Sequence, residues 1–139
     1  MTTHRCLILG DDPDLGRVPS HLHEQKKPTV AVCHGPWTFL STKYEPKKEF
    51  AYKGYKLTSW SDAEEKMMET MLRGEIDMVE ATLRDNGADM QEGVAESIGS
   101  ITVGCEIVSG DNPMAADALG NKFPEMLVLI DRAVVYLYV

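Results

Sequence analysis

Short continuous apolar runs alternate with polar segments along the chain. The first two runs are Cys6-Leu7-Ile8-Leu9 and Thr29-Val30-Ala31-Val32, and both have the length of a strand that is buried on its two faces. Turn-forming residues follow each run, first Gly10-Asp11-Asp12-Pro13 and then Cys33-His34-Gly35-Pro36. Because doubly buried strands occur in parallel sheets that are covered by helices, this pattern predicts a parallel α/β arrangement.

Helical signals become clear in the second half of the chain. Ser61-Asp62-Ala63-Glu64 has the spacing of a capping box and predicts a helix that begins there. Apolar residues at helical spacing predict a second helix over Glu75–Asn86. Gly110-Asp111-Asn112-Pro113 supplies a cap and a first-turn proline for a third helix over Met114–Gly120. An earlier polar stretch, His21–Lys27, has room for two helical turns at most.

Three further segments are less specific. Tyr55–Thr58 alternates apolar and polar residues, which predicts a strand near an edge of the sheet. Two β-prone runs, Ile101–Val103 and Glu106–Val108, flank Gly104-Cys105, and this pattern fits either one bent strand or a tight hairpin. The apolar tail Met126–Val139 fits a strand or a buried helix equally well.

Length and charge limit the class of protein. The chain has 139 residues, so we expect residues 1–139 to form one domain with three layers, α/β/α. A formal net charge of -8 argues against nucleic acid and against an anionic membrane as partners. Three cysteines without a Cys-x-x-Cys pair and apolar runs too short for a transmembrane helix predict a cytoplasmic protein with reduced thiols.

The most specific chemistry lies where a cysteine follows a buried strand and precedes a helix. In a nucleophile elbow of this kind, a sharp turn lifts the side chain above the edge of the sheet and commonly strains the backbone. The helix N-terminus and a cationic His34 favour the thiolate of Cys33, the nucleophilic form. Gly35 leaves room for a substrate beside the backbone. The alternative is that Cys33 is only a small buried apolar side chain.

Three sequence blocks resemble the ThiJ/PfpI superfamily of class I glutamine amidotransferase-like proteins, and within it the branch of heat-shock glyoxalases and chaperones. The resemblance extends from about Leu7 to Leu127. It implies a flavodoxin-like, mostly parallel sheet between two layers of helices. The blocks, in order, are Ala31-Val32-Cys33-His34-Gly35-Pro36, then Tyr52–Thr58 with Ser61–Lys66, then Ser109–Ala116 with Ala118-Leu119-Gly120.

The resemblance implies a site made of cysteine, histidine and an acid. Cys33 would be the nucleophile, His34 its partner, and Asp62 the carboxylate that orients the imidazole. A histidine in such a site needs a carboxylate to fix its tautomer and to stabilise its cationic form. For Asp62 the alternative is an ordinary acidic residue in the first turn of a helix, stabilised by the helix dipole.

The chain departs from the family on its N-terminal side. The family domain begins with further βα units, which supply a glutamate that points at the sulfur, so the resemblance implies an N-terminally truncated domain. Gly10-Asp11 stands where relatives have two glycines whose amides approach the developing oxyanion. We therefore expect Gly10 and Asp11 beside the substrate, with the Asp11 carboxylate opposing negative charge there. Gly35, Trp37 and Trp60 are candidates for the rest of the pocket wall.

The activity that the resemblance implies is a glyoxalase III-like or deglycase reaction on small aldehydes such as methylglyoxal, with no metal or other cofactor. One alternative is a catalytically impaired stress-response chaperone that binds unfolded client proteins. Another is an intracellular cysteine peptidase or amidase. A sheet without its first strands has an unpaired edge, which predicts a homodimer or an association with a chain that supplies those strands.

Overall fold

Helices and short strands alternate in the computed structural model, which describes residues 8–44, 49–72, 77–91 and 99–136. This alternation confirms the α/β class. The elements are α1 (Pro13–Glu24), β1 (Thr29–Val32), a 3₁₀ helix (Gly35–Lys43), β2 (Lys56–Leu57), α2 (Asp62–Leu72), α3 (Val79–Asp85), β3 (Asp89–Met90), β4 (Ile101–Gly104), β5 (Ile107–Gly110), a 3₁₀ turn (Pro113–Ala115) and α4 (Ala116–Tyr136).

The main sheet has three strands in the order β1-β5-β4. β1 runs parallel to β5, with Thr29 opposite Ile107 and Val32 opposite Gly110. β4 and β5 are antiparallel, so the segment that the sequence left open is a hairpin, with Cys105 in its turn at a φ of 55°. β2 and β3 form a separate parallel pair.

Apolar side chains pack on both faces of the main sheet. On one face a large cluster joins the sheet to the 3₁₀ helix and to α3, and on the other face α4 covers β5. The first cluster contains Ala31, Trp37, Phe39, Leu40, Tyr52, Leu57, Val79, Leu83, Ala88 and Ile107. The second contains Val108, Ala115, Leu119 and Met126. The sheet is therefore the middle layer of three, as predicted.

β1 lies at an edge of the sheet, and only one of its faces is buried. Among the described residues its pairing partner is β5. Ala31 is buried, whereas Val30 and Val32 are 44% and 38% exposed. The expectation that this strand is buried on both faces is therefore wrong, because no described element covers the two valines completely.

The N-terminal strand predicted over Cys6–Leu9 is wrong where the structure describes it. Residues 8–10 are helical and Ile8 and Leu9 are exposed, while Cys6 and Leu7 lie outside the described residues.

The first long helix, α1, begins earlier than predicted. The Asp12 side chain accepts hydrogen bonds from the amides of Asp14 and Leu15 and so caps α1.

The C-terminal tail is helical as far as the structure describes it. α4 continues from Ala116 to Tyr136, and residues 137–139 lie outside the described range. The Asn112 side chain accepts from the Met114 amide just before α4, as its position in the sequence predicts. None of the described helices is long and apolar enough to cross a lipid bilayer.

Candidate active site

Cys33 forms the sharp turn between β1 and the 3₁₀ helix. Its φ of 59° lies in the left-handed region, which costs a residue other than glycine about 1–2 kcal/mol. Two backbone hydrogen bonds hold this conformation: the Cys33 amide donates to the Gly110 carbonyl over 2.9 Å, and the Trp60 amide donates to the Cys33 carbonyl over 3.0 Å. The strained elbow predicted from the sequence is therefore present.

The Cys33 side chain is half-buried and faces the neighbouring histidine. Its Sγ lies 3.0 Å from Nδ1 of His34. His34 is the N-cap of the 3₁₀ helix, which begins at Gly35, so the amide end of that helix is next to Cys33. A helix N-terminus favours a negative charge. The sulfur thus has a polar partner, and the residue is partly exposed, unlike a cysteine that only fills apolar space.

The carboxylate that faces the imidazole belongs to Glu65. Its Oε1 lies 3.3 Å from Nε2 of His34, and its side chain is only 1% exposed. The other oxygen, Oε2, accepts from the Val79 amide over 2.9 Å. Oε1 has no hydrogen-bond partner among the described residues, so the imidazole edge is the polar group that it faces. Glu65 is therefore buried with one oxygen fixed by α3 and the other directed at His34.

The structure gives Asp62 a different role from the one that the resemblance implied. Its Oδ1 accepts from the Ala81 amide, and its own amide donates to the Glu80 carboxylate. These contacts join the first turn of α2 to α3. Asp62 and Glu65 are three positions apart and lie on the same side of α2, where both accept from amides of α3, but only Glu65 also faces the imidazole. The carboxylate that the structure places beside His34 is therefore that of Glu65, whereas Asp62 contacts α3.

The capping box fixes the residue at which α2 begins, and so fixes the position of Glu65 in its first turn. The Ser61 hydroxyl donates to the Glu64 carboxylate and accepts from the Glu64 amide, as the sequence predicts. The Glu65 amide then donates to the Ser61 carbonyl, which closes the first helical bond. Glu65 is not among the site residues predicted from the sequence, because several acidic residues occur in this turn of α2. The sequence feature that could have identified it is an acidic residue on the buried side of the helix.

The two neighbours of His34 shift its protonation. The facing Cys33 sulfur and, next, the Glu65 carboxylate raise the pKa of His34 to about 10, although partial burial opposes the charge. The imidazole is therefore protonated at neutral pH. A cationic imidazole therefore lies 3.0 Å from Sγ of Cys33.

The residues predicted to line the pocket are not all at the site. Trp37 is 7% exposed and belongs to the core, and a Cβ at Gly10 would lie 2.3 Å from its Nε1. Gly10 and Trp37 thus pack against each other. Asp11 is exposed and accepts from the Tyr44 hydroxyl over 2.8 Å. Gly35 begins the 3₁₀ helix beside Cys33, as expected.

Trp60 does lie at the site. Its ring is stacked on the His34 imidazole, with a centroid distance of 5.6 Å and an interplanar angle of 21°. The side chain is half-buried. It therefore forms one wall of the space around the imidazole, as its position just before α2 suggests.

A cavity of about 190 Å³ lies elsewhere, and its lining residues include neither Cys33, His34 nor Glu65. The cavity is lined by Ser20, His23, Glu24, Thr42, Glu49, Phe50 and Ala51.

Within the described ranges, no group of three or more His, Cys, Asp or Glu side chains is arranged to hold a metal ion.

Comparison with known proteins identifies the fold. No family model and no curated protein matches the chain in sequence. Solved structures do match. Glyoxalase III from Candida albicans superposes with a TM-score of 0.70 and 22% identity, over 85% of this chain and 51% of that protein. The rapid encystment protein of 24 kDa from Francisella tularensis superposes with a TM-score of 0.72 and 16% identity, over 86% and 52%.

A third solved structure superposes with a TM-score of 0.73 and 24% identity, over 91% of this chain and 55% of the other. The chain thus spans about half the length of the structures that it matches. At these identities the likeness concerns the fold alone. The described part of the chain therefore has an α/β fold similar to that of glyoxalase III and of the rapid encystment protein.

Proposed function

We propose that the chain catalyses a glutathione-independent glyoxalase or deglycase reaction on small reactive aldehydes, with Cys33 as the nucleophile. One observation carries this proposal: Sγ of Cys33, the imidazole of His34 and the buried carboxylate of Glu65 follow one another at 3.0 and 3.3 Å on a strained elbow. Nucleophile, base and orienting acid in this order are the parts of an activated cysteine. The fold likeness to a glyoxalase III adds support.

The first step is addition of the thiolate to the aldehyde carbon of methylglyoxal. The new C–S bond forms while the carbonyl π electrons move to oxygen, and the His34 imidazolium donates a proton to that alkoxide. The product is a hemithioacetal. The amides of His34 and Gly35 lie at the start of the 3₁₀ helix, and amides in such a position can stabilise the transient negative charge.

The second step moves a proton between adjacent carbons. The neutral imidazole of His34 removes the proton from the former aldehyde carbon, which gives an enediolate with its charge on the former ketone oxygen. The proton of the adjacent hydroxyl moves to that oxygen, and the imidazolium returns its proton to the former ketone carbon, which gives the thioester of lactate. The aldehyde carbon is oxidised and the ketone carbon is reduced, so no external oxidant is needed. Water then cleaves the resulting thioester to lactate and regenerates the thiol. Glu65 stabilises the cationic imidazole whenever it carries the proton.

The test is lactate formation from methylglyoxal by the purified chain. We expect the wild-type chain to form lactate and Cys33→Ala to lose at least about a hundredfold of that rate, because the covalent step disappears. Cys105→Ala is the matched control, since Cys105 is exposed in the β4–β5 turn. Equal rates for wild type and Cys33→Ala would contradict the proposal.

A binding function is the second candidate, favoured by exposed apolar side chains. Val30 and Val32 on β1 and Leu127–Leu129 on α4 are all exposed, and exposed apolar surface of this kind is suited to unfolded client proteins. If the chain is a chaperone, it will suppress aggregation of a heat-denatured client equally well with and without Cys33→Ala. Suppression that depends on Cys33, or no suppression, would exclude this candidate.

A further inference from the structure

Three groups contact the His34 imidazole from three directions. Cys33 faces Nδ1, and Glu65 faces Nε2. The Trp60 indole covers a face of the ring at an interplanar angle of 21°. Hydrogen bonds at the two ring nitrogens are directed along the plane of an imidazole, whereas a stacked indole lies against the face of the ring. A rotation of the imidazole out of this plane would break both in-plane contacts and the stacking contact together.

The chain also fixes Trp60 relative to the elbow. The Trp60 amide donates to the Cys33 carbonyl over 3.0 Å. Two residues earlier, the Thr58 amide donates to the Ser109 hydroxyl of β5 over 2.9 Å, and Thr58 and Ser59 are buried. The segment that carries the indole is therefore bound to β5 and to the turn that carries the nucleophile.

We propose that Trp60 is a positioning residue, whose indole holds the His34 imidazole in the plane that keeps Nδ1 on the Cys33 sulfur and Nε2 on the Glu65 carboxylate. A cationic ring is attracted to the face of an aromatic system, and tryptophan is the strongest such partner. The same contact excludes water from one face of the imidazole. The inference concerns the site of the proposed function, but its test needs no turnover.

Two substitutions separate stacking from simple packing. Trp60→Phe keeps an aromatic face, and Trp60→Leu keeps apolar bulk without one. Both keep the backbone amide that donates to Cys33. The readout is the rate at which iodoacetamide alkylates Cys33 between pH 6 and pH 9, resolved from the other cysteines by mass spectrometry. We expect Trp60→Leu to lower the rate at pH 6.5 about three- to tenfold, and Trp60→Phe to lower it about twofold at most.

A measurement without a substitution at position 60 covers the case in which Trp60→Leu does not fold. The chain has two tryptophans, so Trp37→Phe leaves Trp60 as the only one. A protonated imidazole quenches a stacked indole, and we expect the emission to rise as His34 loses its proton near pH 10. His34→Gln should abolish that rise.

Three results would overturn the inference: equal losses for Trp60→Leu and Trp60→Phe, a Trp60→Leu profile that matches wild type, or emission that is unchanged by His34→Gln. Absence of lactate formation would contradict the proposed function only, because alkylation and emission need no substrate.

Discussion

Oε1 of Glu65 lies 3.3 Å from Nε2 of His34, and the Glu65 side chain is 1% exposed. A carboxylate this deeply buried needs a compensating group, because removal of one partner from a buried ion pair leaves an unpaired charge. The Val79 amide compensates one oxygen of Glu65, and the imidazolium of His34 compensates the other. In the proposed function, this pair orients His34 towards the sulfur of Cys33.

Glu65→Gln is predicted to lower methylglyoxal turnover by about a hundredfold or more. The glutamine oxygen can still accept from the Val79 amide, so the local fold is kept. The neutral amide no longer stabilises a cationic His34, and loss of the orienting carboxylate in comparable triads is very costly. The measurement is the steady-state rate of lactate formation together with a urea unfolding curve.

Two matched variants accompany that measurement. Glu64→Gln makes the same chemical change one residue earlier, in a capping box that tolerates glutamine, and should lose little activity. Asp62→Asn keeps the acceptor for the Ala81 amide and should lose much less activity than Glu65→Gln. A larger loss for Asp62→Asn than for Glu65→Gln would restore Asp62 as the orienting acid.

The sequence predicts the strand, turn and helix around Cys33 because those signals are local. A short run of mostly β-branched residues, a glycine and a proline specify β1, the elbow and the start of the 3₁₀ helix. The capping box at Ser61 likewise predicts the start of α2. These features depend on residues within a few positions of one another, so a single sequence contains all the information that they need.

Glu65 and the N-terminal segment depend on distant contacts. Several acidic residues lie on α2, and the packing of α2 against α3 and the sheet decides which of them faces His34. In the folded chain the Val79 amide donates to Glu65 and holds that carboxylate in place. Ile8 and Leu9 have strand propensity, yet residues 8–10 are helical. An apolar run becomes a strand only where a neighbouring strand pairs with it, and tertiary context therefore overrides its propensity.

Folding stability is predicted to depend on pH through His34. Its pKa is raised from 6.5 to about 10 in the folded chain, so protonation stabilises the fold. That contribution is complete below pH 6.5 and is lost as the pH rises towards 10. The side chain is 37% exposed, so solvent screening reduces the size of the effect.

The measurement is the difference in unfolding free energy between wild type and His34→Gln at several pH values. We expect this difference to be largest near pH 6 and to decrease steadily between pH 7 and pH 10. A difference that stays constant over that range would contradict the assigned ion pair.

Gly10 is predicted to be required for packing against Trp37. A Cβ at position 10 would lie 2.3 Å from Nε1 of Trp37, and Trp37 is buried, so Gly10→Ala should destabilise the fold by about 1–3 kcal/mol. Gly120→Ala is the control, because a Cβ at this position of α4 meets nothing within 4 Å. It should stabilise the fold by about 0.5–1 kcal/mol. Urea unfolding of both variants checks the two signs, and a stable Gly10→Ala variant would show that the contact is unimportant.

In the proposed function, His34 and Glu65 activate the sulfur of Cys33, and site-resolved alkylation measures that activation. Iodoacetamide reacts with the thiolate, so its rate at pH 6.5 compares Cys33 with the exposed Cys105 in the same chain. We predict that Cys33 reacts at least about tenfold faster than Cys105, and that His34→Gln and Glu65→Gln each remove most of this advantage. Equal rates for the two cysteines, or a fast Cys33 that is unaffected by both substitutions, would contradict the account.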